Sequence, residues 1–252
     1  MRNLYTLVIL MLALTACGKK GPLHYPDMLV PSAPGAVTVS QSGSAVKLQF
    51  VLPDKDRGGR KLSGLAGVKI SKRQSDLPRE QLCNSCLADY FLFRKLDLGL
   101  LPEEVQRFGS RIVILDGDVS AGKTYSYSLV PFAADGSDGS SSNPVAISPV
   151  TPTPAPVIKA ESFPTEIKVS FTSLPSVGRF VGYNIYRRTQ QGTASYLPLN
   201  REPFAGMEYI DSGLARNTVY SYTVRSVVKL ENGDVVESLL SNAVEGMLKD
   251  DE

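Results

Sequence analysis

The chain has 252 residues, 42% of them hydrophobic and 21% charged, enough apolar material for one or two folded cores. A formal net charge of +2 leaves no electrostatic footprint for nucleic acid, and no nucleic-acid partner is expected. With 21 Gly, 17 Pro, 3 Cys and a single His, turns should be frequent and side chains for a metal or haem site are scarce.

The first element is an apolar run over positions 4–14, preceded by Arg2 and diluted only by Tyr5 and Thr6. It is far shorter than the about 20 apolar residues that span a bilayer, and it reads as a secretory signal. Leu14-Thr15-Ala16-Cys17 closes it and resembles a bacterial lipobox. The resemblance implies removal of residues 1–16 and lipidation of Cys17, which would tie the protein to a membrane. An ordinary signal cut nearby, with Cys17 a bystander, is the alternative.

Next comes Cys17-Gly18-Lys19-Lys20-Gly21-Pro22-Leu23-His24-Tyr25-Pro26. It resembles the head of small outer-membrane lipoproteins with a Cys-Gly-x-Lys-Gly-Pro-Leu-Tyr pattern, departing at His24. One such protein assists assembly of the lipopolysaccharide translocon, while the same head also serves as a generic attachment signature. Gly18 stands where aspartate would mean retention at the inner membrane, so resemblance to enterobacterial sorting implies the outer membrane. The expected location is that membrane, lipid-anchored and facing the periplasm, with cell-surface exposure a second arrangement. Pro22, Pro26, Pro31 and Pro34 should keep residues 17–34 extended, a tether reaching roughly 50 Å. Lys19 and Lys20 are placed to meet anionic headgroups.

The remainder repeats itself. Val46-Lys47-Leu48-Gln49-Phe50 matches Ile167-Lys168-Val169-Ser170-Phe171, each alternating as a half-buried strand does. Thr124-Tyr125-Ser126-Tyr127-Ser128-Leu129 matches Val219-Tyr220-Ser221-Tyr222-Thr223-Val224. Ser142-Asn143-Pro144-Val145 and Ser241-Asn242-Ala243-Val244 close the two units. The expected organisation is one domain over 35–148, a stiff Pro-rich linker over 149–156, a second domain over 157–248, and an acidic tail at 249–252. Turn pairs such as Asp135-Gly136 and Asn232-Gly233 punctuate runs rich in Val, Ile, Tyr, Phe and Thr, so the fold class is all-β, two tandem β-sandwiches.

Tyr209-Ile210-Asp211-Ser212-Gly213-Leu214 with Tyr220-Ser221-Tyr222 resembles the E strand, turn and F strand of fibronectin type III domains. Val181-Gly182-Tyr183-Asn184-Ile185-Tyr186-Arg187-Arg188 resembles their C strand. The resemblance implies a tyrosine corner at Tyr125 and at Tyr220, the phenol bonding back to backbone. This chain departs from the family in lacking Trp; Phe50 and Phe171 stand where the strand B tryptophan would be, and another immunoglobulin-like sandwich is the alternative.

Phe50 and Phe171 lie 121 positions apart but Tyr125 and Tyr220 only 95, so the first unit carries 26 extra residues. Part of this insertion falls around 74–100, where Leu82, Cys86, Tyr90 and Phe93 have helical spacing. That spacing predicts one or two helical turns over a sandwich edge. Leu82, Leu87, Tyr90, Phe91 and Phe93 are the candidate partner-binding residues, a surplus of apolar side chains for one short face. Cys83 and Cys86 are expected to form a local disulfide in an oxidising compartment. A redox motif, a metal site and pairing with another chain are the other readings. No haem is expected, because Leu87 stands where a histidine would follow.

Catalytic and cofactor chemistry is not expected. His24, the single histidine, lies in the tether far from any framework strand, so no serine triad is legible. Gly58-Gly59 sits in a polar turn without the strand-then-helix setting of a phosphate loop. The expected role is a non-enzymatic, membrane-anchored module that binds or scaffolds an envelope protein. A polysaccharide- or cell-wall-binding accessory, or an accessory to outer-membrane translocon assembly, is the alternative.

Overall fold

The computed structural model describes residues 28–82, 89–172 and 178–250. Cys17, Cys83, Cys86 and Leu87 lie outside the described residues. The described chain is all-β, with no α-helix and a 3-10 turn at Arg79–Gln81.

In the first sandwich, β1 (Gly35–Ser42), β2 (Ala45–Val51), β6 (Arg111–Asp116) and β5 (Val105–Phe108) pair in that order. The facing sheet runs β4 (Phe91–Asp97), β3 (Leu65–Ser75), β7 (Thr124–Ala133), β8 (Val145–Ile147). Alternation puts Leu48 and Phe50 of β2 and Ile112 and Ile114 of β6 against Val68 and Ile70 of β3 and Tyr127 and Leu129 of β7. In family terms these are an A-B-E-D and a C′-C-F-G sheet.

The second sandwich sets β9 (Ile158–Ser162), β10 (Glu166–Phe171) and β12 (Glu208–Ser212) against β11 (Arg179–Thr189) and β13 (Tyr220–Lys229). Its last strand is broken into β14 (Val235–Glu237) and β15 (Val244–Gly246), both on β13. Ile167, Val169, Ile185 and Val224 form its core with Phe171 stacked on Tyr183 at 4.4 Å. Phe50 and Phe171, 0% and 3% exposed, supply the aromatic core where tryptophan is missing.

The repeated closing motif has a physical role. Ser142 Oγ accepts from Leu129 N at 3.1 Å, and Ser241 Oγ accepts from Val224 N at 2.8 Å. Each hydroxyl supplies the acceptor that a buried strand amide needs where the final strand leaves the ladder.

The two sandwiches are joined into one sheet. Strand β14 pairs parallel with β1, Gln41 opposite Val236 and Ser42 opposite Glu237, giving an eight-stranded sheet across both units. The Pro-rich connection is pinned: Gln41 Nε2 donates to Val150 O at 2.7 Å, Val150 N donates to Gln41 Oε1 at 2.9 Å, and Leu239 N donates to Thr153 O. The β1–β2 turn touches the second unit through Gly43 N, which donates to Glu237 O at 3.0 Å. Gly43 has φ +62, and a Cβ there would lie 2.7 Å from an Arg225 guanidinium nitrogen. The left-handed turn favours glycine, whereas the flexible Arg225 side chain could shift away from a Cβ.

Candidate functional site

Each sandwich pairs a cation with a buried aspartate and two buried tyrosines, the cation buried in the first and half-buried in the second. Asp116 accepts from Tyr127 OH at 2.7 Å and from Lys72 Nζ at 2.7 Å, with the Lys72 and Asp116 side chains 1% and 2% exposed. Lys72 Nζ also donates to Asp118 O and lies 4.8 Å from the Tyr125 ring centroid. In the second sandwich Asp211 accepts from Tyr222 OH at 2.7 Å and from Arg187 at 2.7 and 2.9 Å, with Arg187 over the Tyr220 ring. Burial first, then the aspartate, raises both the Tyr127 and Tyr222 phenols above their ordinary value, so both stay protonated donors. These networks are closed on themselves and staple the fold. Sequence reasoning missed them; the 95-position tyrosine offset carries Asp116 onto Asp211 and would have found the aspartate–tyrosine pairs, though not the cations.

Tyr125 OH accepts from Ser120 N at 2.9 Å, and Tyr220 OH accepts from Ala215 N at 3.0 Å. Both bonds reach back five residues to the bend before the strand.

The expected helical turns over 82–93 lie partly outside the described residues, and their described end is strand rather than helix. Beyond the 3-10 turn the chain returns at Phe91 as strand β4, paired antiparallel with β3 from Lys72↔Phe91 to Gly67↔Asp97. The edge of β3 presents unpaired backbone groups, and a strand satisfies them where a helix laid across could not. A register break between Ile70↔Arg94 and Ser71↔Leu92 leaves Phe93 unpaired. Its ring packs on the core, edge-on to Tyr127 at 6.4 Å. Tyr90 OH lies 2.6 Å from Ser126 Oγ, beneath the Arg73 guanidinium. Leu82 is half-buried. The candidate partner-binding set is therefore divided: Tyr90 and Phe93 are used by the domain itself, whereas Phe91 is 51% exposed and its neighbour Leu92 59%. They stand at the start of β4, the end strand of its sheet. The insertion also reaches the second sandwich, where Arg79 forms an ion pair with Asp234.

The corresponding edge of the second sandwich is closed. Tyr183 exchanges two backbone hydrogen bonds of 2.8 Å with Phe204, and Leu199 N donates to Ile185 O at 2.7 Å. Asn200 completes the cover, accepting from Ile185 N at 2.9 Å. The approach is so close that a Cβ at Gly182 would lie 2.7 Å from Phe204 O.

At the junction, Lys47 of β2 and Glu237 of β14 form an ion pair of 2.9 Å, side chains 6% and 4% exposed. Tyr186 OH donates to Glu237 Oε1 at 2.5 Å, Asn184 Nδ2 donates to the same oxygen, and Lys47 Nζ donates to Tyr186 OH at 3.3 Å. Burial alone would raise the Glu237 carboxyl, but the Lys47 charge and hydrogen bonds from Ser42, Tyr186 and Lys47 hold it below its ordinary value. Gln106 of β5 fastens the other side, donating to Ala194 O at 2.6 Å and accepting from Tyr196 N at 2.7 Å. Beside this junction opens a cleft of about 550 Å³ lined from the first sandwich by Lys47, Gln49 and Arg111 and from the second by Asn184 and Arg201. Among the described residues no group of three His, Cys, Asp or Glu is arranged to hold a metal, and no helix is long and apolar enough to cross a membrane.

No protein-family model matches the chain, and comparison with curated proteins finds no match. Among solved structures, it is similar to the crystal structure of chicken CNTN1 FN1-FN3 domains. That match has 15% sequence identity and a TM-score of 0.33, covering 87% of this chain and 68% of the other. The assignment of two immunoglobulin-like, fibronectin type III-like sandwiches rests on the strand order and facing cores described above.

Proposed function

We propose that this chain is a non-catalytic envelope lipoprotein, anchored to the outer membrane through Cys17, that binds or scaffolds another envelope protein. The outer edge of β4, which no strand pairs among the described residues, carries the reading. An exposed strand edge beginning with Phe91 and Leu92 offers main-chain hydrogen bonds for affinity and two apolar side chains for a partner to cover. The partner is an extended protein segment that adds along β4 and presents apolar side chains to that end. Arg94 and Lys95, both exposed further along the strand, limit pairing with another copy of the same edge and favour a partner with acidic residues there. A Cys83–Cys86 disulfide belongs to the same proposal.

The full lipidated chain, used as bait in solubilised envelopes, tests both halves of the proposal. Phe91→Arg and Leu92→Arg should each fold and remain membrane-bound yet lose the envelope proteins that wild type retains. Cys17→Ala should shift the chain to the soluble periplasmic fraction. Full partner retention by both β4 variants would reject the docking edge, and normal processing with unchanged membrane association of Cys17→Ala would reject the anchor.

A further inference from the structure

The cleft beside the junction has no part in the β4 proposal, and its lining is chemically one-sided. Three cations, Lys47, Arg111 and Arg201, line it against one carboxylate, Glu237. The chain as a whole carries only +2, so this excess is local. Glu237 is taken by Lys47, Asn184 and Tyr186. Arg111 and Arg201 are exposed and have no ion-pair partner among the described residues. Lys47 is held almost out of solvent, and two of its three ammonium donors go to Glu237 and Tyr186, leaving the third. Gln49, half-buried beside it on the same strand, adds an amide to the same wall.

Among the described residues no aromatic ring lines the cleft, so they offer no stacking surface for a neutral sugar. Leu197, Leu199 and Val235 add aliphatic surface, and Ser40 and Asn200 further polar groups. Guanidinium forks match the paired oxygens of phosphate and carboxylate, and a half-enclosed site strengthens those bonds over their value in water. A volume of about 550 Å³ falls in the range of small-ligand sites, and domain interfaces are where such sites concentrate.

We propose that this cleft is an oxyanion-binding site for a phosphate-bearing ligand, with Arg111 and Arg201 as the binding forks and Lys47 as the buried charge between the two sandwiches. Because each sandwich supplies one fork, the docked arrangement creates the site. The phosphate can come from a soluble phosphorylated molecule or from a phospholipid headgroup, and the test separates these sources.

The full chain in a neutral detergent is titrated with inorganic phosphate at matched ionic strength, and separately with micelles containing phosphatidylglycerol, following the thermal midpoint and the heat of binding. Saturable binding is expected, weakened about tenfold or more by Arg111→Gln and by Arg201→Gln, a loss of one charge-assisted fork. Arg57→Gln, an exposed arginine outside the cleft, should bind as wild type does. Arg111→Lys should recover only part of the loss, because it restores charge without the fork. Arginine-dependent binding of free phosphate supports a soluble ligand; arginine-dependent binding of the micelles alone supports a headgroup. No saturable binding in either arm overturns the proposal, as does binding left unchanged by both glutamine variants. Variants whose unliganded midpoint matches wild type tie any loss to the cleft rather than to folding.

Discussion

Lys47 and Lys168 occupy the same position of the repeated strand, yet the two sandwiches treat them differently. Lys168, on the outward face of β10, is 29% exposed and reaches Glu161 and Glu208 only at 3.6 and 3.7 Å. Lys47, on the outward face of β2, is covered by the second sandwich and held at 2.9 Å by Glu237. One is an ordinary surface charge worth little to stability; the other must be paired or the junction fails. The C-strand edges differ in a parallel way. Lys72 and Asp116 lie 44 positions apart and Arg187 and Asp211 only 24, and the longer connection builds β4 where the shorter folds back over β11. Interiors repeat, whereas faces and edges take the roles that distinguish the units.

The sharpest way to test the repeated interior is to remove its aspartates. Asp116→Ala strands the Lys72 charge at 1% exposure and should cost about 4 kcal/mol of unfolding free energy. Asp211→Ala should cost about 2 kcal/mol, because Arg187 is 30% exposed and water can solvate its freed charge. Denaturant unfolding followed in each variant measures the gap, and equal losses would mean that exposure does not set it.

Glu237→Gln tests the junction in the same way. It leaves Lys47 buried beside a neutral group and should cost about 3 kcal/mol, with unfolding separating into two transitions as the sandwiches uncouple. Lys168→Gln, at the matching exposed position, should change stability by no more than about 0.5 kcal/mol. Acid should reproduce part of the Glu237→Gln effect. The Glu237 carboxyl is held below its ordinary value in the fold. Its contribution is therefore complete above the unfolded carboxyl value of about 4.3 and is lost as pH falls through the lower folded value. The stability gap between wild type and Glu237→Gln should stay constant from about pH 5 to 7 and narrow below about pH 4. A gap that widens with acid would contradict the assignment.

The smallest expected effect compares the two bends. Tyr125→Phe and Tyr220→Phe each remove one hydroxyl acceptor from a backbone amide and should each cost about 1 kcal/mol with an unchanged denaturant slope. Unchanged midpoints in both variants would show that water replaces the phenol at these amides.

Much of the β framework was legible because strand patterning is local. The alternation around Leu48 and Phe50 and around Val169 and Phe171 marks inward faces from sequence alone. The insertion was located by counting, but its described end, from Phe91 onward, is strand rather than the expected helix. Leu82, Cys86, Tyr90 and Phe93 repeat at helical spacing, while Phe91 to Asp97 became strand because the edge of β3 needed backbone partners. No local pattern carries that demand.

What the sequence determined by itself was the repeat, the alternating faces and the turns, all of them consequences of side-chain order along single strands. What tertiary structure decided was which outward face would meet which neighbour. Lys47 and Glu237 sit on polar positions of their strands and look like solvated charges until β14 docks beside β1. Docking removes water from both, converts a surface lysine into a buried cation, and opens between Arg111 and Arg201 a cleft that neither sandwich has alone. Those contacts join residues far apart along the chain, and only packing brings them into range of one another.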